Sequence, residues 1–144
     1  MYHYTAVGLQ NVWLENGYNE RKTPYGKAIS IEDADGLHKA IGRAVACKSH
    51  LTGAEFRFLR KEMDLSQHGV ADLLGTSEQT VALWERRGKI PKTADRMIRA
   101  IYLESVDGNV KLKELIGRIA DLDRKEDQRM VFHDTDAGWF PRAA

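Results

Sequence analysis

The run Ser77-Glu78-Gln79-Thr80 is followed, one to two helical turns later, by Leu83, Arg86 and Arg87. If Val81 and Trp84 supply the apolar side of that helix, all seven of those residues are left outside. Their chemistry suits the edge of a base pair. A glutamine amide donates and accepts at once, matching adenine, and a threonine methyl packs against the methyl of thymine. Glu78 either accepts from a cytosine amine or favours the positive end of the helix dipole. Arg86 and Arg87 reach base edges or phosphates, with a base contact favoured for at least one of them. Lys89 and Lys92 follow the helix and are placed as phosphate ligands, which position a protein without reading sequence.

These side chains need a support, and the stretch from Leu65 to Lys92 reads as two short helices around a tight turn at Gly75. Ser66 caps the first, whose inward positions are Val70, Ala71 and Leu74. Thr76, with Gln79 three residues on, is expected to form a capping box for the second. That leaves Ser77, Gln79 and Thr80 in its groove-facing turn. A capped helix with a polar, amide- and arginine-bearing face, held by a shorter helix, is the geometry that enters a DNA major groove.

The residues Leu65-Ser66-Gln67, Ala71, Leu74-Gly75, Ser77, Thr80-Val81, Trp84-Glu85 and Gly88 together resemble the helix-turn-helix of the Xre/Cro family of DNA-binding regulators. With Pro91 and the helix after it, the segment from about residue 51 to 104 is especially similar to the DNA-binding half of MqsA-type antitoxin repressors. The resemblance implies a five-helix, lambda-repressor-like domain acting as a homodimer on double-stranded DNA with a palindromic operator. It also implies roles. Gln67 touches a phosphate or braces the recognition helix, and Glu85 holds the turn that follows it. The candidate DNA-binding set is therefore Gln67, Thr76, Ser77, Glu78, Gln79, Thr80, Leu83, Arg86, Arg87, Lys89 and Lys92.

Composition narrows the classes. The 144 residues carry a net charge of +1, with 42% hydrophobic and 30% charged residues, as in an ordinary soluble protein. Affinity for a polyanion must then come from a local patch, and Arg86, Arg87, Lys89, Lys92, Arg96 and Arg99 supply one with only Asp95 against them. Cys47 is the single cysteine, which rules out an internal disulfide and a CxxC zinc pair. The zinc-binding amino-terminal half of MqsA-type antitoxins therefore has no counterpart here. His3, His38, His50, His68 and His133 lack ligand spacing, and no catalytic motif is present. No metal, cofactor or enzymatic activity is expected. The start lacks a signal-peptide pattern and no apolar run approaches the ~20 residues of a membrane span, so a cytoplasmic protein with no membrane partner is expected.

Along the chain, residues 1–50 read as a small β-hairpin and helix unit suited to dimerisation or partner binding. Asn16-Gly17 is placed at a hairpin turn between NVWLE and YNERK, with KAISI as a third strand after Pro24-Tyr25-Gly26. Val12, Leu14, Ile29 and Ile31 are taken as inward. A helix opens within Ser30 to Asp33 and buries Leu37, Ala40, Ile41, Ala44 and Val45, with His38 solvated and Cys47 at least half-buried.

Residues 51–125 form the DNA-binding domain, opened by a Thr52–Glu55 capping box. Phe56, Leu59 and Met63 face inward there, and Arg57, Arg60 and Lys61 outward. Its fourth helix follows Pro91 and buries Ala94, Met97, Ile98, Ile101 and Tyr102. A fifth presents Leu112, Leu115, Ile116, Ile119 and Leu122. Residues 126–144 are a tail whose Val131, Phe132, Trp139 and Phe140 either fold back or reach a partner.

The fold class is thus mainly α, with a minor β part. The favoured function is an autoregulatory transcriptional repressor. The alternatives are an antitoxin with a toxin partner and a repressor of a mobile element, such as an anti-CRISPR-associated regulator.

Overall fold

In a computed structural model of the protein, described for residues 1–108, 111, 114, 117 and 131–142, periodicity and capping account for most of the helices. The described residues contain helices α1 (Ala34–Ala46), α2 (Gly53–Glu62), α3 (Gln67–Leu74), α4 (Glu78–Arg87) and α5 (Lys92–Val106). Among the described residues six strands pair into three two-stranded antiparallel sheets. They are β1 (Tyr2–His3), β2 (Trp13–Leu14), β3 (Tyr18–Thr23), β4 (Gly26–Ile31), β5 (Val131–Thr135) and β6 (Gly138–Arg142). The chain is therefore mainly helical, of the α+β class. The stripe expected on Leu112, Leu115, Ile116, Ile119 and Leu122 lies outside the described residues; Lys111, Glu114 and Gly117 are helical.

The Asn16-Gly17 expectation fails. β2 turns back to pair with β1, matching Tyr2 with Leu14 and His3 with Trp13. The long hairpin is β3–β4, whose two-residue loop is Pro24-Tyr25. A type I′ turn at Asn16-Gly17 would need positive φ at both residues, and only Gly17 has it, at 78°. Gly17 instead accepts a backbone bond from Glu32 at 2.8 Å, at the open end of the β3–β4 ladder. At the Pro24-Tyr25 loop, the Thr23 hydroxyl donates to the Gly26 carbonyl at 2.6 Å and accepts from the Tyr25 amide at 3.3 Å. The tail uses the same device. Thr135 donates to the Gly138 carbonyl at 2.9 Å and accepts from the Ala137 amide at 3.2 Å, closing β5 on β6.

α1 starts at Asp33, whose carboxylate accepts from the Gly36 amide at 3.2 Å. Its buried stripe is Ile41, Gly42, Val45 and Ala46, with Leu37 half-buried; Ala40 and Ala44 are exposed, contrary to expectation. Gly42 is needed because the Tyr102 hydroxyl of α5 occupies the space its Cβ would take. Cys47 is exposed rather than half-buried. His38, expected solvated, is half-buried and bonded through both ring nitrogens. Tyr4 and His38 share a hydrogen bond, Oη to Nε2, at 2.8 Å, and Nδ1 meets Glu62 of α2 at 3.0 Å. Through His38, the amino-terminal unit and α2 are joined by polar contacts as well as by packing.

Residues of both segments form one hydrophobic cluster, from Tyr4, Leu9 and Leu14 through Ile41 and Val45 to Phe56, Leu59, Val70, Val81, Ile98 and Ile101. Phe56, Leu59, Val81 and Ile101 are fully buried at its centre. The small β strands could not bury their own apolar side, and this shared core does it for them.

The connection from α1 to α2 is anchored at several points. Asp95 of α5 accepts from the Leu51 amide at 2.7 Å, and Arg99 donates to the Lys48 carbonyl. The expected capping box is present, with Thr52 N donating to Glu55 at 2.9 Å and Glu55 N to the Thr52 hydroxyl at 3.2 Å. Lys48 adds a bidentate contact to the same carboxylate at 2.7 and 2.9 Å. Burial would raise the Glu55 pKa. The hydrogen bonds and charge of Lys48, with those from Thr52, outweigh it and hold the group below its ordinary 4.5.

A depressed carboxylate stabilises the fold above its unfolded pKa and loses that contribution as pH falls through the folded value. Thermal stability should therefore decline as pH drops below about 4.5. Glu55→Gln should flatten that decline in melts recorded from about pH 6 to about pH 3. An unchanged acid limb in the variant would assign the effect to other carboxylates.

Candidate nucleic-acid interface

The surface around α4 is built from its caps inward. Gly75 closes α3 in the left-handed region, and the Thr76 amide then bonds back to the Ala71 carbonyl at 2.9 Å. The expected Thr76–Gln79 capping box is absent, and Ser77 is the N-cap, accepting from the Thr80 amide at 3.2 Å. The Ser77 and Thr80 hydroxyls lie 2.8 Å apart and hydrogen-bond each other. Ser66 caps α3 as expected, accepting from Gly69 at 2.8 Å.

α4 lies against α2 along a line that runs through three contacts. Val81 is wholly buried, and Trp84 meets the edge of Phe56 at a ring separation of 5.9 Å and 80°. Beyond them, Glu85 takes both ends of the Arg60 guanidinium, at 2.8 Å from Nε and 3.0 Å from Nη2. Arg60 was expected outside. It is buried, because its third donor reaches the Leu65 carbonyl at 2.9 Å and so closes the α2–α3 connection as well. Gln67 donates to the same Glu85 carboxylate at 3.4 Å. At the far end of the line, the Glu85 carbonyl sits where a Cβ on Gly53 would be.

This packing leaves an outer face. Ser77, Glu78, Gln79, Arg86, Arg87, Lys89 and Lys92 are exposed, while Gln67, Thr76, Thr80 and Leu83 are half-buried. Glu78 lies 4.0 Å from the His68 ring. Gly88 ends α4 with φ of 73°, sending the chain across Lys89 to Pro91 and into α5. Of the basic cluster, Arg86, Arg87, Lys89, Lys92 and Arg96 remain at the surface. Arg99 does not. It turns inward, with Nε 2.7 Å from Asp95 in an ion pair too poorly aligned for a hydrogen bond. The one acid in the cluster thus neutralises the one cation that faces inward.

Two features had no role in the sequence reading. Arg57 and Lys61, expected outside and exposed in the structure, border an open groove of about 1120 Å³ that also reaches Gln67, Glu78 and Arg86. The amino-terminal loop Thr5 to Gly8 lines it as well. The helical spacing of Arg57 and Lys61 marked them as outward, but nothing local told which neighbour they would face. The second feature is the His38 link to Tyr4 and Glu62.

Among the described residues no group of three or more histidine, cysteine, aspartate or glutamate side chains could hold a metal ion. No described helix is long and apolar enough to cross a membrane. Comparison of the chain with protein-family models, curated proteins and solved structures finds no match.

Proposed function

We propose that the chain is a sequence-specific DNA-binding repressor in which α3 and α4 form a helix-turn-helix and α4 reads the major groove. The observation that carries this reading is the exposed row Gln79, Arg86 and Arg87 on a helix whose other side is locked to α2 by Val81, Trp84 and Glu85. Base readout needs donors and acceptors held at a fixed angle, and a rigidly seated helix supplies that angle. Gln79 is the adenine reader and Arg86 the guanine reader. Ser77 and Thr80 share a hydroxyl pair at the helix start, where Thr80 keeps its methyl for a thymine contact. Lys89 and Lys92 hold phosphates. Gln67 braces α4 through Glu85 and leaves the rest of its amide for the backbone. One such helix contacts few base pairs, so the active form is a homodimer on an inverted repeat, with reading helices about 34 Å apart.

A protein partner, as in an antitoxin, is the second reading. The exposed aromatics of the β5–β6 hairpin favour it, since Trp139 is 71% exposed and Phe132 54%.

Binding to duplex DNA from upstream of the gene should weaken steeply with added salt, because counterion release supplies the sequence-independent part of the affinity. Lys89→Ala should weaken binding to every duplex alike. Gln79→Ala should relax preference at one base position by roughly 1–3 kcal/mol. Titrations of single-base operator variants, with a footprint to test two-fold symmetry, check both. Equal losses for Gln79→Ala on operator and random duplex would remove it from the reading set. No binding to any duplex by the unmodified chain would overturn the DNA-binding proposal.

A further inference from the structure

The groove lined by the amino-terminal loop and the helices meets the proposed reading surface at Gln67, Glu78 and Arg86, but most of its lining has no role there. Its walls come from elements far apart in the chain. Thr5 to Gly8 line it together with α2, the start of α3 and α4. The buried Arg60–Glu85 pair lines it too, so those two charges cancel within the groove. Glu62 also borders the groove, with its carboxylate engaged by His38. What remains is two acids, Glu62 and Glu78, against three cations: Arg57 and Lys61 of α2 and Arg86 of α4. All three cations are exposed and, among the described residues, have no ion-pair partner. Ala54 and Ala82 also belong to the lining.

We propose that this groove holds one sugar–phosphate strand of the bound duplex, with Arg57 and Lys61 as its phosphate ligands and the Thr5–Gly8 loop as part of its wall, while Arg86 at its border turns to the base. The inference rests on the DNA-binding reading of α4 and extends it to the amino-terminal unit. A strand is the occupant of choice because Gln67, Glu78 and Arg86 belong at once to the groove and to the proposed reading surface. A backbone leaving a major groove in which α4 sits must pass beside that helix, and this is the cationic channel continuous with it. Guanidinium and ammonium groups without carboxylate partners are available to phosphate oxygens with no ion pair to break first. The loop has no charge of its own, so it adds confinement rather than attraction. On this reading the first residues of the chain are part of the nucleic-acid interface, beside any part they have in assembly.

The test measures affinity of the full chain for operator and random duplexes at a series of potassium chloride concentrations, by fluorescence anisotropy. Arg57→Gln and Lys61→Gln should each lower the slope of log affinity against log salt by about 0.9 and weaken both duplexes by the same factor. Arg57→Lys, which keeps the charge, should retain the slope. Circular dichroism confirms that each variant is folded. If the unmodified chain binds duplex and the folded glutamine variants keep its slope, the groove proposal is wrong while the reading of α4 stands. If the unmodified chain binds no duplex, both fall. Binding of a polyglutamate peptide that is lost in Arg57→Gln, with duplex binding unaffected, would overturn the strand in favour of an acidic polypeptide.

Discussion

Glu85→Ala is expected to destabilise the protein by about 3–5 kcal/mol, the cost of leaving one member of a buried ion pair without its partner. The Arg60 and Glu85 side chains are only 9% and 6% exposed, so the guanidinium left behind has little water to turn to. In the variant its one remaining acceptor is the Leu65 carbonyl. Gln67 loses its partner on α4 at the same time. The loss should appear as a lower urea midpoint with an unchanged slope. Replacing both charges, as in Arg60→Met with Glu85→Leu, should recover much of it, because two apolar groups of similar volume leave no buried charge unpaired and only the Leu65 carbonyl and the Gln67 amide lose a contact. A single-variant loss below about 1 kcal/mol, the range of a solvent-exposed pair, would mean that the pair is not desolvated in solution.

Gly53→Ala is the second large effect, expected near the upper end of the roughly 1–3 kcal/mol that overpacking costs. A Cβ on Gly53 would lie 2.1 Å from the Glu85 carbonyl oxygen and 3.0 Å from that of Trp84. Both obstacles are backbone, so no rotamer change relieves the clash; α2 and α4 must separate. That movement pulls at the Arg60–Glu85 bridge and shifts the face bearing Gln79 and Arg86. DNA affinity should accordingly drop further than stability predicts, when measured at a temperature where the variant is still folded. Gly69→Ala is the control, since its Cβ would meet only the Ser66 hydroxyl at 3.3 Å and a leucine methyl carbon at 3.7 Å. Equal stability of the two variants would show that the close approach at Gly53 is not kept in solution.

The sequence alone determined the parts of this protein that depend on a few neighbouring residues. The Thr52–Glu55 box, the Ser66 cap and the left-handed glycine at 75 are local hydrogen-bond and φ preferences, and each is where the residues placed it. The buried stripes of α2 and α5 follow from period, and so does the outward Gln79, Arg86 and Arg87 row. Local reasoning failed where two local preferences competed. Thr76 and Ser77 are both good caps, and Ser77 takes the place, bonding the Thr80 amide and hydroxyl. Asn16-Gly17 is a good hairpin turn, but the pairing of β1 with β2 and of β3 with β4 overrode it.

Only the tertiary structure decided which charged residues leave the surface. Arg60 and Arg99 carry the same periodic signal as Arg57 and Arg96, but Glu85 holds the first inside and the Lys48 carbonyl draws in the second. The same applies to His38, held between Tyr4 and Glu62, and to the groove that joins residues 5–8 to α2 and α4. These contacts close loops of tens of residues, and their free energy depends on burial and on exact partner geometry. A capping or helical period is encoded within one or two turns of chain; a desolvated ion pair exists only once both helices have packed.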